Sequence, residues 1–307
     1  MSLKILFMGT PHYAVVILDG LAQLSNVTLR VVTQPDAPVG RGYRLVSSAV
    51  ARWADEHDVA VDRPTLLKEQ RATWEAFQPD LLVTAAYGKI LAPWALNLPR
   101  IAALNVHASL LPRWRGPNPI AWAIRAGDSC TGVTLMAMDS GIDTGPVYAR
   151  RPVVIRPDWD LGQLTEVLAR TGRDLLVDSI PAITAGKLDP VPQETTGATK
   201  APKFTAEDAK ISWQMDALTI GRLIRSMTPS PSAYTMFRGK RLQILSAEAG
   251  SSADLLPGQL GLDRHGPMVG TSSGSLRIHL VKPEGKRAMS GLEWARGARF
   301  REQECFT

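Results

Sequence analysis

Asn105 and His107 stand two residues apart at the end of an apolar run, "IAALNVH" (101–107), and Asp143 lies in the Gly-punctuated stretch "MDSGIDTG" (138–145). A strand turns residues i and i+2 to the same side, so the carboxamide and the imidazole face one pocket. An Asn, a His and an Asp brought together suit acyl transfer. The Asn amide hydrogen-bonds a developing oxyanion, the His donates to it, and the Asp holds the imidazole. Each piece also has a plain structural use, since an isolated Asn-x-His or a "GIDTG" turn more often serves the fold than chemistry. Other chemistries lack their residues. There is no G-x-S-x-G elbow, and Cys130 has no base near it in sequence, which argues against a covalent nucleophile. "ILFMGTP" lacks the G-x-G-x-x-G of a dinucleotide site, no Walker phosphate loop occurs, and the five histidines are not spaced as metal ligands, so no metal is expected.

The elements that must position these groups follow from hydropathy. "LKILFMG" (3–9), "VTLRVVT" (27–33), "DLLVTAA" (80–86) and "IAALNVH" (101–107) are near-continuous apolar strands, with a helical pattern across "YAVVILDGLAQL" (13–24). Such runs predict a mostly parallel sheet covered on both faces, with ligands at the carboxyl ends of its strands. "TGVTLMAMD" (131–139) and "PVYARRPVVI" (146–155) add strands at the far edge. Leu164, Leu168, Leu175, Leu176 and Ile180 then mark an amphipathic helix over about 160–186. "DPVPQETTGATKAPKF" (189–204) has no apolar period and reads as a linker. Beyond it come one helix, "MDALTIGRLIRSM" (215–227), and short alternating segments, "AYTMF", "RLQILSAE", "GPMVGTS" and "SLRIHLVK", which predict a small β-barrel. The expected domains are 1–188, a linker at 189–206, and 207–307.

The 307 residues are enough for two domains, and 45% hydrophobic with 21% charged residues is ordinary for a soluble globular chain. Two cysteines in no ligand spacing exclude a disulfide framework and fit a reducing cytoplasm. The first apolar stretch is too short for a signal peptide and no run is long enough to span a membrane, so a cytoplasmic protein is expected. Charge is uneven. Residues 1–196 carry 19 Lys and Arg against 19 Asp and Glu, whereas residues 197–307 carry 16 against 10. The whole excess of +6 therefore sits in the last third, where it serves either solubility or a polyanion such as nucleic acid.

"GTPHYA", "VVTQPDAPVGRG", "NVHASLLPRWRG" and "MDSGIDTG", in that order, together with "IRSMTPSPSAYT", "GKRLQIL" and "GKRAMSGLEWARG", closely resemble the methionyl-tRNA formyltransferases, the tRNA-modifying branch of the 10-formyltetrahydrofolate-dependent transferases. The resemblance implies a Rossmann-like formyltransferase domain with a mostly parallel α/β sheet, followed by a small OB-like β-barrel that binds tRNA. It implies formyl transfer from 10-formyltetrahydrofolate to the α-amine of methionyl-initiator tRNA, with Asn105 and His107 stabilising the oxyanion. Asp143 would orient the His and assist removal of the amine proton. It puts folate against Tyr87, Gly88, Ile90, Ser109, Leu110, Leu111, Pro112, Met138, Asp139 and Gly141. Contacts to tRNA would come from Arg41 and Arg44 in the loop 34–47, from Arg113 and Arg115, and from Lys203, Arg238, Lys240, Arg241, Lys286 and Arg287. The loop 34–47 is expected to be without regular structure, and the chain to act as a monomer. His12, Ala37, residues 116–122 and Ser232 depart from the family's usual pattern. The same catalytic set would also serve a formyltransferase of a small amine, such as an amino sugar nucleotide or a purine precursor. A noncatalytic RNA-binding protein is the alternative of another class.

Overall fold

The structure is a computed structural model that describes residues 2–39, 43–250, 255–301 and 303–307, with Val39 and Arg44 described by backbone alone. By packing, the chain forms two compact units: residues 1–119, 130–154 and 165–202 in one, and residues 120–129, 155–164 and 203–307 in the other. No helix among the described residues is long and apolar enough to cross a membrane.

The first unit is built on a seven-stranded sheet. In chain order its elements begin with strand β1 (Leu3–Gly9), helix α1 (His12–Ala22) and strand β2 (Val27–Val32). A hairpin of β3 (Ala37–Val39) and β4 (Arg44–Val46) follows, then α2 (Ala49–Glu56), β5 (Val61–Asp62), α3 (Arg71–Phe77), β6 (Leu81–Ala85), α4 (Pro93–Leu96) and β7 (Ala102–His107). After α5 (Pro119–Ala126), which belongs almost entirely to the second unit, come β8 (Cys130–Ala137), β9 (Val147–Val154) and the long helix α6 (Leu161–Thr184). The sheet order is β5-β2-β1-β6-β7-β8-β9. The first five strands in that order run parallel, β8 runs antiparallel to them, and β9, antiparallel to β8, returns to their direction. Every residue of β6 is buried, as are Ile5 to Gly9 of β1. Successive side chains point to opposite faces, so both faces are covered, as the unbroken apolar runs predict.

Two expectations change. The loop 34–47 is not structureless, because β3 and β4 pair antiparallel within it from Ala37↔Val46 to Val39↔Arg44. The region expected as a linker is stitched to the first unit in two places. Val147 and Val191 exchange backbone hydrogen bonds of 2.7 and 2.9 Å, and Thr199 and Ala201 bond to either side of Arg115. A stretch without apolar period can still be ordered when its polar backbone finds partners, which composition does not reveal.

The second unit carries α7 (Ala217–Met227), β10 (Tyr234–Phe237), β11 (Lys240–Gly250), β12 (Leu260–Asp263), β13 (Gly266–Gly270), β14 (Ser275–Pro283), β15 (Met289–Ser290) and α8 (Gly291–Ala298). Its sheet runs β10-β11-β14-β13-β12, with β15 added on β14, and curls as a half-barrel. A register shift between Ile244 and Ala247 of β11 marks a bulge, which sharpens local twist and helps such a sheet curl. The helix α7 starts where the Asp216 side chain accepts from Thr219 N at 2.9 Å. It buries Ile220, Leu223, Ile224 and Met227, spaced along one face. These join Leu242, Ile244, Val269, Ile278 and Trp294 in one core.

Candidate active site

The antiparallel run of β8 decides how the site is assembled. Thr84 pairs with Asn105 near the carboxyl ends of β6 and β7, in keeping with a site at the ends of a parallel sheet. The loop carrying Asp143 leaves β8 at the opposite end of the sheet, where Met138 N donates to Ala103 O at 2.8 Å. It must therefore climb back along the sheet face to reach Asn105 and His107. A purely parallel reading of the sequence does not anticipate that path.

It does reach them. Asn105 Nδ2 donates to Asp143 Oδ1 at 3.2 Å, and Thr84 Oγ1 donates to Asn105 Oδ1 at 2.9 Å. A carboxylate can only accept, so the amide must turn its NH2 toward Asp143, and the Thr84 hydroxyl holds its oxygen from behind. Among the described residues the second N–H of Asn105 meets no acceptor. Asp143 Oδ2 accepts from Gly116 N at 2.8 Å and lies 3.6 Å from His107 Nδ1.

The orientation of His107 differs from expectation. At 3.6 Å its contact with Asp143 is too long for a hydrogen bond. The bond that fixes the ring runs from His107 Nε2 to Trp114 O at 3.0 Å. A carbonyl can only accept, so Nε2 carries a proton and Nδ1 is the nitrogen left facing the Asp143 side. His107 is 6% exposed, so the ring works from within the wall. Trp114 itself has φ +64°, and its carbonyl reaches the imidazole from that turn.

The stretch "SLLPRWRG" therefore acts largely through its backbone. Ser109 and Leu111 are buried. Ser109 Oγ donates to Arg113 O at 2.6 Å, Thr134 Oγ1 donates to Ser109 O at 2.7 Å, and Leu111 N donates back to Thr134 Oγ1 at 3.1 Å. The Ser109 hydroxyl and the Leu111 amide thus brace the loop from inside, whereas Leu110 and Pro112 are half-buried. Asp139, also expected beside folate, ties its own loop: its carboxylate accepts from Gly141 N at 3.0 Å and from Thr144 Oγ1 at 2.8 Å. Arg113 stacks on the Trp114 ring at 4.3 Å. Gly116 has φ +121°, and a Cβ there would lie 2.8 Å from Ala201 O, so that turn tolerates no side chain.

The apolar residues after β6 form a wall in the first unit. Tyr87 and Leu91 pack with Leu6, Met8, Leu82 and Ala103, with Met138 against them, while Ile90 stays 82% exposed. The Tyr87 hydroxyl is buried without a hydrogen-bond partner among the described residues, and burial pushes its pKa up to about 12. Its carbonyl accepts from both Thr10 Oγ1 and Gln34 Nε2.

Of the residues expected to meet tRNA, Arg41 lies outside the described residues, and Arg44 is placed only as the first residue of β4. Arg115 gives its guanidinium to Gln193 Oε1. Arg238, Lys240, Arg241, Lys286 and Arg287 gather at one end of the second unit's sheet, where Leu242 pairs with Pro283 and Glu284 N donates to Arg241 O at 3.0 Å. Two of them have partners: Arg238 forks onto Glu304 at 2.6 and 2.8 Å, and Arg241 lies 3.8 Å over the Tyr234 ring. Lys203 is exposed and stands apart from this group in sequence.

Comparison with known proteins agrees with the sequence motifs. The family described as formyl transferase matches residues 3–180, and its C-terminal domain matches residues 203–299. A methionyl-tRNA formyltransferase of Streptomyces griseus is 40% identical over 306 residues, 98% of this chain and 99% of its own. That of Thermobifida fusca is 42% identical over 312 residues, 99% of each chain. Among solved structures, HypX from Aquifex aeolicus in complex with tetrahydrofolic acid superposes with a TM-score of 0.68 at 18% identity. The match covers 99% of this chain but only 49% of that one. An N-formyltransferase from Helicobacter canadensis, solved with folinic acid and dTDP-3-aminofucose, gives 0.67 at 17% identity, over 90% of this chain and 98% of its own. At that identity the structural likeness speaks for the fold alone, but the full-length curated matches do more, and the chain belongs to the methionyl-tRNA formyltransferase family.

Proposed function

We propose that this protein transfers the formyl group of 10-formyltetrahydrofolate to the free α-amine of methionyl-initiator tRNA in the cytoplasm, giving the N-formylated aminoacyl-tRNA that starts translation. The observation that carries the chemistry is the convergence of Asn105 Nδ2, His107 Nδ1 and Gly116 N on the Asp143 carboxylate. The amine attacks the formyl carbon and the carbonyl pair moves to oxygen. The remaining N–H of Asn105 and a protonated Nδ1 of His107 stabilise that oxygen. Collapse breaks the bond to the folate nitrogen. One proton leaves the amine and one reaches the departing nitrogen, so no net proton is consumed. Asp143 is the base placed to take the first, directly or through one water.

Folate would rest on the Tyr87–Leu91 wall with Met138 beside it, where Gly88, Ile90 and Gly141 are exposed. The tRNA would meet the basic end of the second unit and the loop 34–47, with the excess charge of residues 197–307 supplying phosphate attraction. The protein would act as a monomer.

The test offers 10-formyltetrahydrofolate with methionyl-initiator tRNA, and separately with an amino sugar nucleotide. Formylmethionine released from the tRNA ester is expected. Transfer to the sugar amine alone would replace this substrate, and tRNA binding without turnover would leave a binding protein.

A further inference from the structure

Gln193 lies in the segment that the sequence presents as a tether, yet both ends of its carboxamide are committed. Nε2 donates to Asp143 O at 2.9 Å and to Gly145 O at 2.8 Å, while Oε1 accepts from Arg115 Nε at 3.1 Å and Nη2 at 2.7 Å. Chemistry fixes this orientation, because two carbonyls need a donor and a guanidinium needs an acceptor. The bonds close a circuit. Asp143 O is held by Gln193, Gln193 holds Arg115, and the next residue, Gly116, donates its N–H to the carboxylate of the same Asp143. Asp143 is thus braced at its main chain and at its side chain together.

It needs bracing. Asp143 has φ +53°, in the left-handed region that few residues with a Cβ adopt. Its loop is also pressed close to β8, since a Cβ on Gly145 would stand 2.0 Å from Ala137 O. The backbone bonds between Val147 and Val191 bring Gln193 to this loop, only two residues further along the chain.

We propose that Gln193 is a positioning residue for formyl transfer, holding the 143–145 turn so that the Asp143 carboxylate meets Asn105, Gly116 and His107. The proposal rests on the functional reading above and adds to it a residue that the reaction itself does not touch. Because Gln193 lines neither the Tyr87 wall nor the basic end of the second unit, its loss should fall on kcat and leave both KM values in place.

Steady-state kinetics on the full chain with 10-formyltetrahydrofolate and methionyl-tRNA test this. Gln193→Met keeps the length and removes every hydrogen bond; it is expected to lower kcat about 10- to 100-fold, the scale of a misplacement near 1 Å. Gln193→Glu keeps the acceptor for Arg115 but loses both N–H donors. Protonation would restore one donor, so its kcat relative to wild type should recover as pH falls through the carboxylic-acid range. In an Asp143→Asn background, with its residual turnover as reference, Gln193→Met should cost little more. Wild-type kcat in Gln193→Met, an equal rise in KM, or the same further loss without the Asp143 carboxylate would overturn the role. Should Gln193→Met fail to fold, judged by urea unfolding, the Gln193→Glu ratio decides, and a ratio flat with pH counts against the proposal. A wild-type chain that formylates no tRNA is a different result: it removes the functional reading and this role with it.

Discussion

The cluster around Asp143 and the basic end of the second unit present opposite ways of building a function. In the first, Thr84, Asn105 and Asp143 are hydrogen-bonded in series to Gly116 N, and Trp114 O holds an almost wholly buried His107 beside them. In the second, Lys240, Lys286 and Arg287 are exposed at a sheet end, and their sign matters more than their placement. A preorganised site loses most of its effect when one member goes, because the others no longer point correctly. A charged surface loses its effect in increments, because each cation adds a separate share of counterion release.

The largest expected effect is therefore in the cluster. Asn105→Ala or His107→Ala should each reduce kcat by about 100- to 1,000-fold, the usual consequence of losing one oxyanion donor. The two changes together should cost less than the product of the single losses, since both groups act on the same developing oxyanion. Independent, multiplicative losses in single-turnover formylation would show that the groups do not act as a unit.

A smaller effect inside the same cluster tests orientation instead of chemistry. Thr84→Val removes the hydroxyl that holds the Asn105 oxygen and leaves the shape nearly unchanged. The loss of about 1 kcal/mol expected for one hydrogen bond corresponds to about fivefold in kcat. Thr84→Ser, which keeps the hydroxyl, should restore it. Equal activity in the valine and serine variants would mean that Asn105 needs no such brace.

How far these features were legible in the sequence follows the same division. Period and apolar runs placed β1, β2, β6, β7 and α6 within about two residues, because burial of a face is written in residue type. Asn105 and His107 could be paired from their spacing alone. What holds them could not be read: Thr84 is an ordinary strand threonine, the Trp114 carbonyl belongs to every residue type, and Gln193 sits in a stretch without apolar period. Hydrogen bonds made by backbone, or by one side chain reaching across distant sequence, leave no periodic trace. The inward facing of Ser109 and Leu111 is hidden for a related reason, since a motif shows which residues recur and not which way they face. The basic residues of 238–241 and 286–287 were visible as charge. Their gathering at one end depends on the pairing of β11 with β14.

At that basic end the expected behaviour is gradual. Lys286→Ala with Arg287→Ala should raise KM for methionyl-tRNA, leave folate use alone, and lower the slope of log affinity against log salt by about one unit per residue removed. A large fall in kcat, or an unchanged salt slope, would make this end resemble the cluster and erase the contrast.

Arg238 breaks the pattern of its neighbours and gives the smallest effect. Its fork onto Glu304 ties the turn before β11 to the chain's last residues, and that guanidinium holds the Glu304 carboxyl down to about 2 from an ordinary value near 4.5. A carboxylate whose pKa is depressed on folding stabilises the fold above its unfolded pKa, and the gain fades as pH falls toward the folded value. Arg238→Ala should therefore lower Tm slightly at neutral pH, by under about 2 °C for an exposed pair in a chain of this size. The difference from wild type should shrink between pH 4.5 and 2. A Tm difference that stays constant across that window would mean Arg238 stabilises by something other than its ion pair. A strong loss of tRNA affinity at neutral pH would return it to the phosphate-binding group, where its charge, and not its partner, sets its value.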